Sequence, residues 1–169
     1  HDPKFMADLD GHINYWSAFF SPSGRAQGQP NTADFLIVMS ADIGEKFAKR
    51  CDVFATMVTP PNQKGFVNMG LTNFYTSDAI RKGRKDGKLR VAIAEVNDQM
   101  PVVLGDNWMH VSEFDVFVEN STKIPAFVRK PPGELEAKIA DYTLELINDG
   151  DTFQMGIGGI PEAVVAGLE

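Results

Sequence analysis

The stretch "LRVAIAEV", residues 89–96, decides the fold class. Small and β-branched apolar residues occupy both faces of this run, as a strand inside a covered sheet requires, whereas a half-solvated antiparallel strand would alternate apolar with polar. Upstream, "DVFATMV" (52–58) reads as a second apolar strand, ended by "TPPNQKG" (59–65), whose prolines and Asn/Gly enforce a turn. "FVNMGLT" (66–72) follows as an extended piece, and a helix is expected around Ser77 to Arg84.

Working outward, "DFLIVM" (34–39) has strand length, and "ADIGEKFAKR" (41–50) has the spacing of a short amphipathic helix through Ile43 and Phe47. The order is β-α-β-β-α-β. "MPVVLG" (100–105) and "FDVFVE" (114–119) read as two further extended pieces. Residues 1–33, rich in Gly, Ser, Pro and aromatics, show no sustained period and read as irregular structure. The expected fold is α/β, with open mixed sheets flanked by helices.

"KIPAFVRKPP" (123–132) is the best linker, because proline stiffens it and removes backbone donors. It divides an N-terminal domain, residues 1–130, from the start of a second, residues 131–169, which reads as α-β-α. Leu135, Ile139, Tyr142 and Leu146 recur at helical spacing and form one stripe, stopped by "NDG" (148–150). "TFQMGI" (152–157) reads as a strand, Gly158 and Gly159 as a turn, and Pro161 as the first helical residue.

Such a turn aims backbone amides near Ile157, Gly158 and Gly159 at a ligand. The dinucleotide fingerprint fails for want of a third glycine after Gly156 and Gly158, and a P-loop fails for want of Gly-Lys-Ser/Thr. A small amide nest for a developing oxyanion remains, beside the plainer reading that the glycines only let a helix pack on a strand. Gln154, at the end of the expected strand, is either a site residue or a solvent-facing one.

Composition narrows the classes. The chain has 169 residues, 43% of them apolar, a formal charge of −7 and a pI near 4.9, which disfavours a nucleic-acid partner. The basic run "RKGRKDGK" (81–88) lacks interleaved aromatics and reads as a solvated loop. "FLIVM" is far too short to span a membrane. The single cysteine, Cys51, excludes an internal disulfide, suits a reducing, cytoplasmic compartment and reads as a small buried hydrophobe. No metal-ligand spacing is present. His110 has the chemistry of a general base, but no Ser or Cys is placed for it by a recognisable motif, so it reads as a packed or surface histidine.

Three segments in order, "AEVNDQMPVVLGDNWMHVSEFDVFVE" (94–119), "PGELEAKIADYTLELI" (132–147) and "DGDTFQMGIGGIPEAVVAGL" (149–168), resemble the acetyl-CoA hydrolase/transferase family, and within it the CoA-transferases of 4-hydroxybutyrate and butyrate. "VFATMVTPPNQKGFVNMG" (53–70) is similar to the family's strand, Pro-rich turn and strand.

The resemblance implies a two-domain, dimeric α/β enzyme that moves coenzyme A from an acyl-CoA to a short-chain carboxylate through a glutamyl-CoA thioester. CoA is then a substrate, with no tightly bound cofactor, metal, nucleic acid or membrane implied. Gln154, Gly156, Ile157, Gly158 and Gly159 match the family's substrate loop, and Glu95, Asn97, Met100 and Pro101 fall where they could line a cleft.

The family's nucleophilic glutamate lies in a segment resembling "HSEM", expected beyond Glu169. The chain therefore reads as a fragment, inactive alone, that needs its own continuation or a companion fragment. An acyl-CoA hydrolase and a non-catalytic CoA-binding module are the alternatives. A catalytic Glu95 is the lesser reading of that residue, beside a strand-end carboxylate bonded to nearby backbone.

Overall fold

The computed structural model describes residue 12 and residues 15–18, 33–126 and 131–168. Most of the expected irregular segment 1–33, and residues 127–130 of the expected linker, lie outside the described residues. The chain divides into two compact units, His1–Ile124 and Pro125–Glu169.

The first unit contains β1 (Tyr15–Ser17), β2 (Ala33–Phe35), α1 (Ile43–Ala48), β3 (Val53–Val58), β4 (Phe66–Asn68), α2 (Thr76–Lys85), β5 (Val91–Val96), β6 (Trp108–His110) and β7 (Val116–Glu119). Its main sheet is parallel throughout, with β5 between β3 and β7. A short parallel pair joins β1 to β2, and β4 pairs antiparallel with β6. This is the expected α/β architecture of open mixed sheets with helices.

Packing explains why α2 forms where it does. Thr76, Ala79, Ile80 and Gly83 are buried along one stripe at helical spacing. That stripe meets a core of Val58, Val67, Met69, Leu89, Ala92, Ala94, Met109 and Phe114. Ala92 and Ala94 are fully buried on one side of β5, but the residues between them are only half-buried. The central strand is therefore covered on one face, not on both as its composition suggests.

Several local expectations are corrected. "DFLIVM" contributes strand only up to Phe35, and Ile37 and Met39 are exposed. "MPVVLG" is an irregular loop, held by side-chain amides. The run "RKGRKDGK" is the last part of α2 and the turn after it. Its cations suit the negative end of the helix dipole, and three of the five are closely engaged: Arg81 with Glu113 at 2.8 Å, Arg84 with Asp115, and Lys88 with Asp52 at 3.0 Å.

The second unit holds α3 (Glu134–Leu144) and α4 (Gly159–Ala166). No strand forms over 152–157, because the described residues offer that segment no neighbouring strand to bond with. Helix α4 begins two residues before Pro161, which still sits in the first turn, where a missing N–H has no intrahelical partner to lose. The two helices meet through Ala140, Ala163 and Val164, with Leu144, Ile147 and Met155 at the margin. The stripe Leu135, Ile139, Tyr142 and Leu146 is exposed, so the helix packs here through a different face.

The ion pairs make a prediction about acid stability. The Ala92 N–H, then Arg84, hold the Asp115 carboxyl below the usual carboxylate range, and hydrogen bonding from Arg81 does the same for Glu113. A carboxyl lowered in the folded state adds stability above its unfolded pKa and loses it as pH falls through the folded one. Urea midpoints should be flat from neutral pH to about pH 5 and fall below about pH 4. In Asp115→Asn and Glu113→Gln the neutral-pH midpoint should be lower and the acid decline shallower.

Candidate functional site

The carboxyl ends of parallel strands are where α/β folds gather their ligand-binding loops. Here β3 ends at Val58, β5 at Val96 and β7 at Glu119, and each end is fastened by a buried or partly buried amide. Asn97 is fully buried: its Nδ2 donates to the Thr122 carbonyl at 2.8 Å, and its Oδ1 accepts from the Gln99 amide at 2.9 Å. Its own N–H donates to the Val58 carbonyl, so one residue ties together all three strand ends.

A second amide system shapes the loop 100–107. The Oδ1 of fully buried Asn68 accepts from the amides of Gly70 at 2.9 Å and Val103 at 3.0 Å, and from Asn107 Nδ2 at 3.1 Å. Asn107 also donates to the Gly70 carbonyl at 3.0 Å. Gly70 has φ +53°, and a Cβ there would lie 2.4 Å from Met100 Cγ and Sδ. A glycine is required for both reasons. Met100 is buried against it, while Pro101 faces solvent.

Beside these loops a cleft of about 490 Å³ is lined by Ala55, Met57, Ile93 and Val118, with Glu95, Glu119 and Asn120 toward the strand ends. Glu95 is half-buried, and its Oε1 accepts from Asn120 Nδ2 at 2.7 Å. Asn97, Met100 and Pro101 are not among the residues lining this cleft; Asn97 fastens the strand ends beside it, Met100 packs against Gly70, and Pro101 is exposed.

In the second unit the glycine turn caps α4. Gly158 is the N-cap with φ 149° and ψ 174°, a region open in practice only to glycine, and its carbonyl accepts from the Glu162 amide at 3.1 Å. Gln154, Gly156 and Ile157 are exposed, Ile157 by 95%, and Gly158 and Gly159 are half-buried. The Gln154 side chain donates to the Met155 carbonyl. Glu136 of α3 lies against the turn, where a Cβ on Gly159 would come within 3.1 Å of its Cγ. Sequence reading missed Glu136, because a glutamate on an exposed helix gives no sign of what its backbone neighbour will be.

A family model described as the acetyl-CoA hydrolase/transferase N-terminal domain matches residues 17–129. The chain belongs to the acetyl-CoA hydrolase/transferase family. It is 32% identical over 166 residues to a 4-hydroxybutyrate coenzyme A transferase of Clostridium kluyveri, covering 95% of this chain and 37% of that protein. It is also 32% identical over 170 residues to a succinyl-CoA:acetate/propanoyl-CoA:succinate CoA transferase of Fasciola hepatica, covering 98% and 34%. Among solved structures, a 4-hydroxybutyrate CoA-transferase from Porphyromonas gingivalis superposes with a TM-score of 0.73 at 30% identity, over 93% of this chain and 40% of that one. RipA from Yersinia pestis gives 0.82 at 26% identity, over 95% and 38%. The chain thus spans about a third of the length of its curated relatives.

In this member of the acetyl-CoA hydrolase/transferase family, the other reactive side chains have structural duties. His110 Nδ1 accepts from the Ser112 amide at 3.2 Å and lies 2.8 Å from its hydroxyl, capping a short 3-10 turn, and its ring meets Phe66 edge-on. Burial, then the charge of Asp52, push the half-buried Cys51 thiol up, away from the thiolate a nucleophile needs. Among the described residues no group of three or more His, Cys, Asp or Glu is arranged to hold a metal ion, and no helix is long and apolar enough to cross a membrane.

Asn68→Ala leaves the buried Gly70 amide and the partly buried Val103 amide without their acceptor and removes one of the acceptors of Asn107 Nδ2. It should lower unfolding free energy by about 2 to 4 kcal/mol. Chemical denaturation with and without the substitution measures this, and amide exchange should accelerate at Gly70 and Val103 first.

Proposed function

We propose that this chain is part of a CoA-transferase that moves coenzyme A from an acyl-CoA, such as 4-hydroxybutyryl-, butyryl- or acetyl-CoA, to a carboxylate such as acetate. The observation that carries this reading is the likeness, over nearly the whole chain, to proteins named as CoA-transferases. Residues 1–130 belong to the N-terminal domain of that enzyme and residues 131–169 open its C-terminal domain. The enzyme is a cytoplasmic dimer in which CoA is a substrate and not a resident cofactor.

In the mechanism that the family resemblance implies, a glutamate carboxylate attacks the thioester carbonyl, expels CoA as the thiolate and forms a mixed anhydride. The thiolate then attacks the glutamyl carbonyl, releasing the first carboxylate and leaving a glutamyl-CoA thioester. The acceptor carboxylate repeats both steps in reverse. Each step passes through an oxyanion, and the turn at Gly156, Ile157, Gly158 and Gly159, with Gln154 beside it, supplies the amides that stabilise it. By the resemblance, the glutamate falls in the part of the relatives' length that this chain does not span. Water in place of the acceptor would make the same site a hydrolase, the other activity in the family's description.

The test is exchange by the enzyme in its complete form. Butyryl-CoA and labelled acetate should yield labelled acetyl-CoA and butyrate in equal amounts, and borohydride should trap an alcohol at one glutamate outside residues 1–169. Free CoA accumulating without acetyl-CoA would establish the hydrolase instead; CoA binding with neither product would overturn catalysis. Gly158→Ala, which forces a side chain into backbone geometry that disfavours one, should lower kcat by roughly 10- to 1,000-fold with KM changed much less.

A further inference from the structure

The loop that follows β5 uses buried amides to hold an apolar tip in solvent. Val102, Val103 and Leu104, consecutive in the chain, are 55%, 38% and 85% exposed. Their backbone is nevertheless fixed. The Val103 N–H donates to Asn68 Oδ1 at 3.0 Å, and its carbonyl accepts from Asn68 Nδ2 at 3.0 Å and Asn107 Nδ2 at 3.4 Å. The turn beside the loop adds two exposed apolar side chains, Leu71 and Phe74, and Asn73 Nδ2 ties the two segments by donating to the Asp106 carbonyl at 3.2 Å. Single exposed aliphatic residues are ordinary on a protein surface. A run of three on a stiffened loop, with two more on the segment bonded to it, marks a binding surface.

We propose that Val102, Val103 and Leu104 receive the acyl chain of the substrate thioester and select an uncharged aliphatic acyl group over one ending in a second carboxylate. Three observations specify this occupant. The loop follows the carboxyl end of the central parallel strand, which finishes at Val96, and α/β folds bind their ligands at such ends. Both backbone polar groups of Val103 are used within the protein, so the middle of the tip offers carbon alone. That suits the methylenes of an acyl chain and not the amides of the pantetheine arm of CoA. Charge supplies the third observation. Neither 66–75 nor 97–107 contains Lys, Arg or His, and the charged residues of the loop, Asp98 and Asp106, are both acidic. A second carboxylate would meet like charge, with no counter-ion from either segment. This inference rests on the reading of the chain as part of an acyl-CoA enzyme, to which it adds the contacting residues and the acyl class.

The test uses the enzyme encoded by the complete gene and thioether analogues that cannot transfer their group, S-ethyl-, S-butyl- and S-(3-carboxypropyl)-CoA. In calorimetric titration S-butyl-CoA should bind roughly 10-fold tighter than S-ethyl-CoA, since each buried methylene is worth about fourfold. The carboxylate-tipped analogue should bind roughly 10-fold more weakly than S-butyl-CoA. In Leu104→Ala, at a site outside the core, the gain from ethyl to butyl should shrink to roughly threefold. Leu104→Arg supplies the missing cation and should close the gap between the butyl and carboxypropyl analogues. An alkyl-CoA with a diazirine at the chain end should label residues 102–104 on irradiation.

Equal affinity for the ethyl and butyl analogues, a length gain that survives Leu104→Ala, label outside the loop, or no binding of any analogue overturns the proposal. A gap that Leu104→Arg leaves unchanged overturns the selection by charge. Butyryl transfer by an enzyme without the length dependence retains the transferase and removes this inference. Absence of transfer with the expected thioether pattern does the reverse.

Discussion

The first unit depends on the close approach that two alanines on the central strand permit. Ala92 and Ala94 bring no bulk to the inner face of β5, so Ile80 on α2 and Met109 on β6 pack into one core with them and with Val58 and Val67. Each larger residue in that core removes apolar surface from water at about 25 cal/mol per Å². The charged rim then reinforces what burial sets. Asp115 accepts from the Ala92 N–H at 2.7 Å and pairs with Arg84, joining the entry to β7, the start of β5 and the end of α2.

With the sheet fixed in this way, the loops at its carboxyl end acquire defined shapes through amides. Asn97 and Asn68 each replace several missing main-chain partners, and no buried side-chain nitrogen or oxygen among the described residues lacks a hydrogen bond. Buried amide networks of this kind are stiff, because any member that leaves strands the others. Preorganised loops at strand ends suit a site that must stabilise charge without rearranging.

Legibility in the sequence followed how locally each feature is determined. "DVFATMV" and "LRVAIAEV" read as strands because long runs of β-formers leave little choice, and α2 forms where a helix was expected. "TFQMGI" has a strand's composition but bonds to no strand among the described residues, since a strand exists only through its neighbour. The helical stripe through Leu135 and Tyr142 was legible as a stripe, yet the face that packs runs through Ala140, because α4 approaches from that side. At the glycine turn, the need for glycine at 158 could be read ahead of the structure; the carboxylate of Glu136 beside it could not.

The sequence by itself determined the α/β class, the two principal strands, the glycine turn and the family resemblance, all of which rest on residues adjacent in the chain or on ordered motifs. Tertiary structure alone decided which face of β5 is covered, that the basic run ends a helix and is engaged in ion pairs, and that Asn68 and Asn97 hold the strand-end loops. Those outcomes turn largely on pairs of residues 25 or more positions apart, such as Asn97 with Thr122 and Asn68 with Val103. Side-chain composition records what a residue can bond to, and only the folded chain brings the partner within reach.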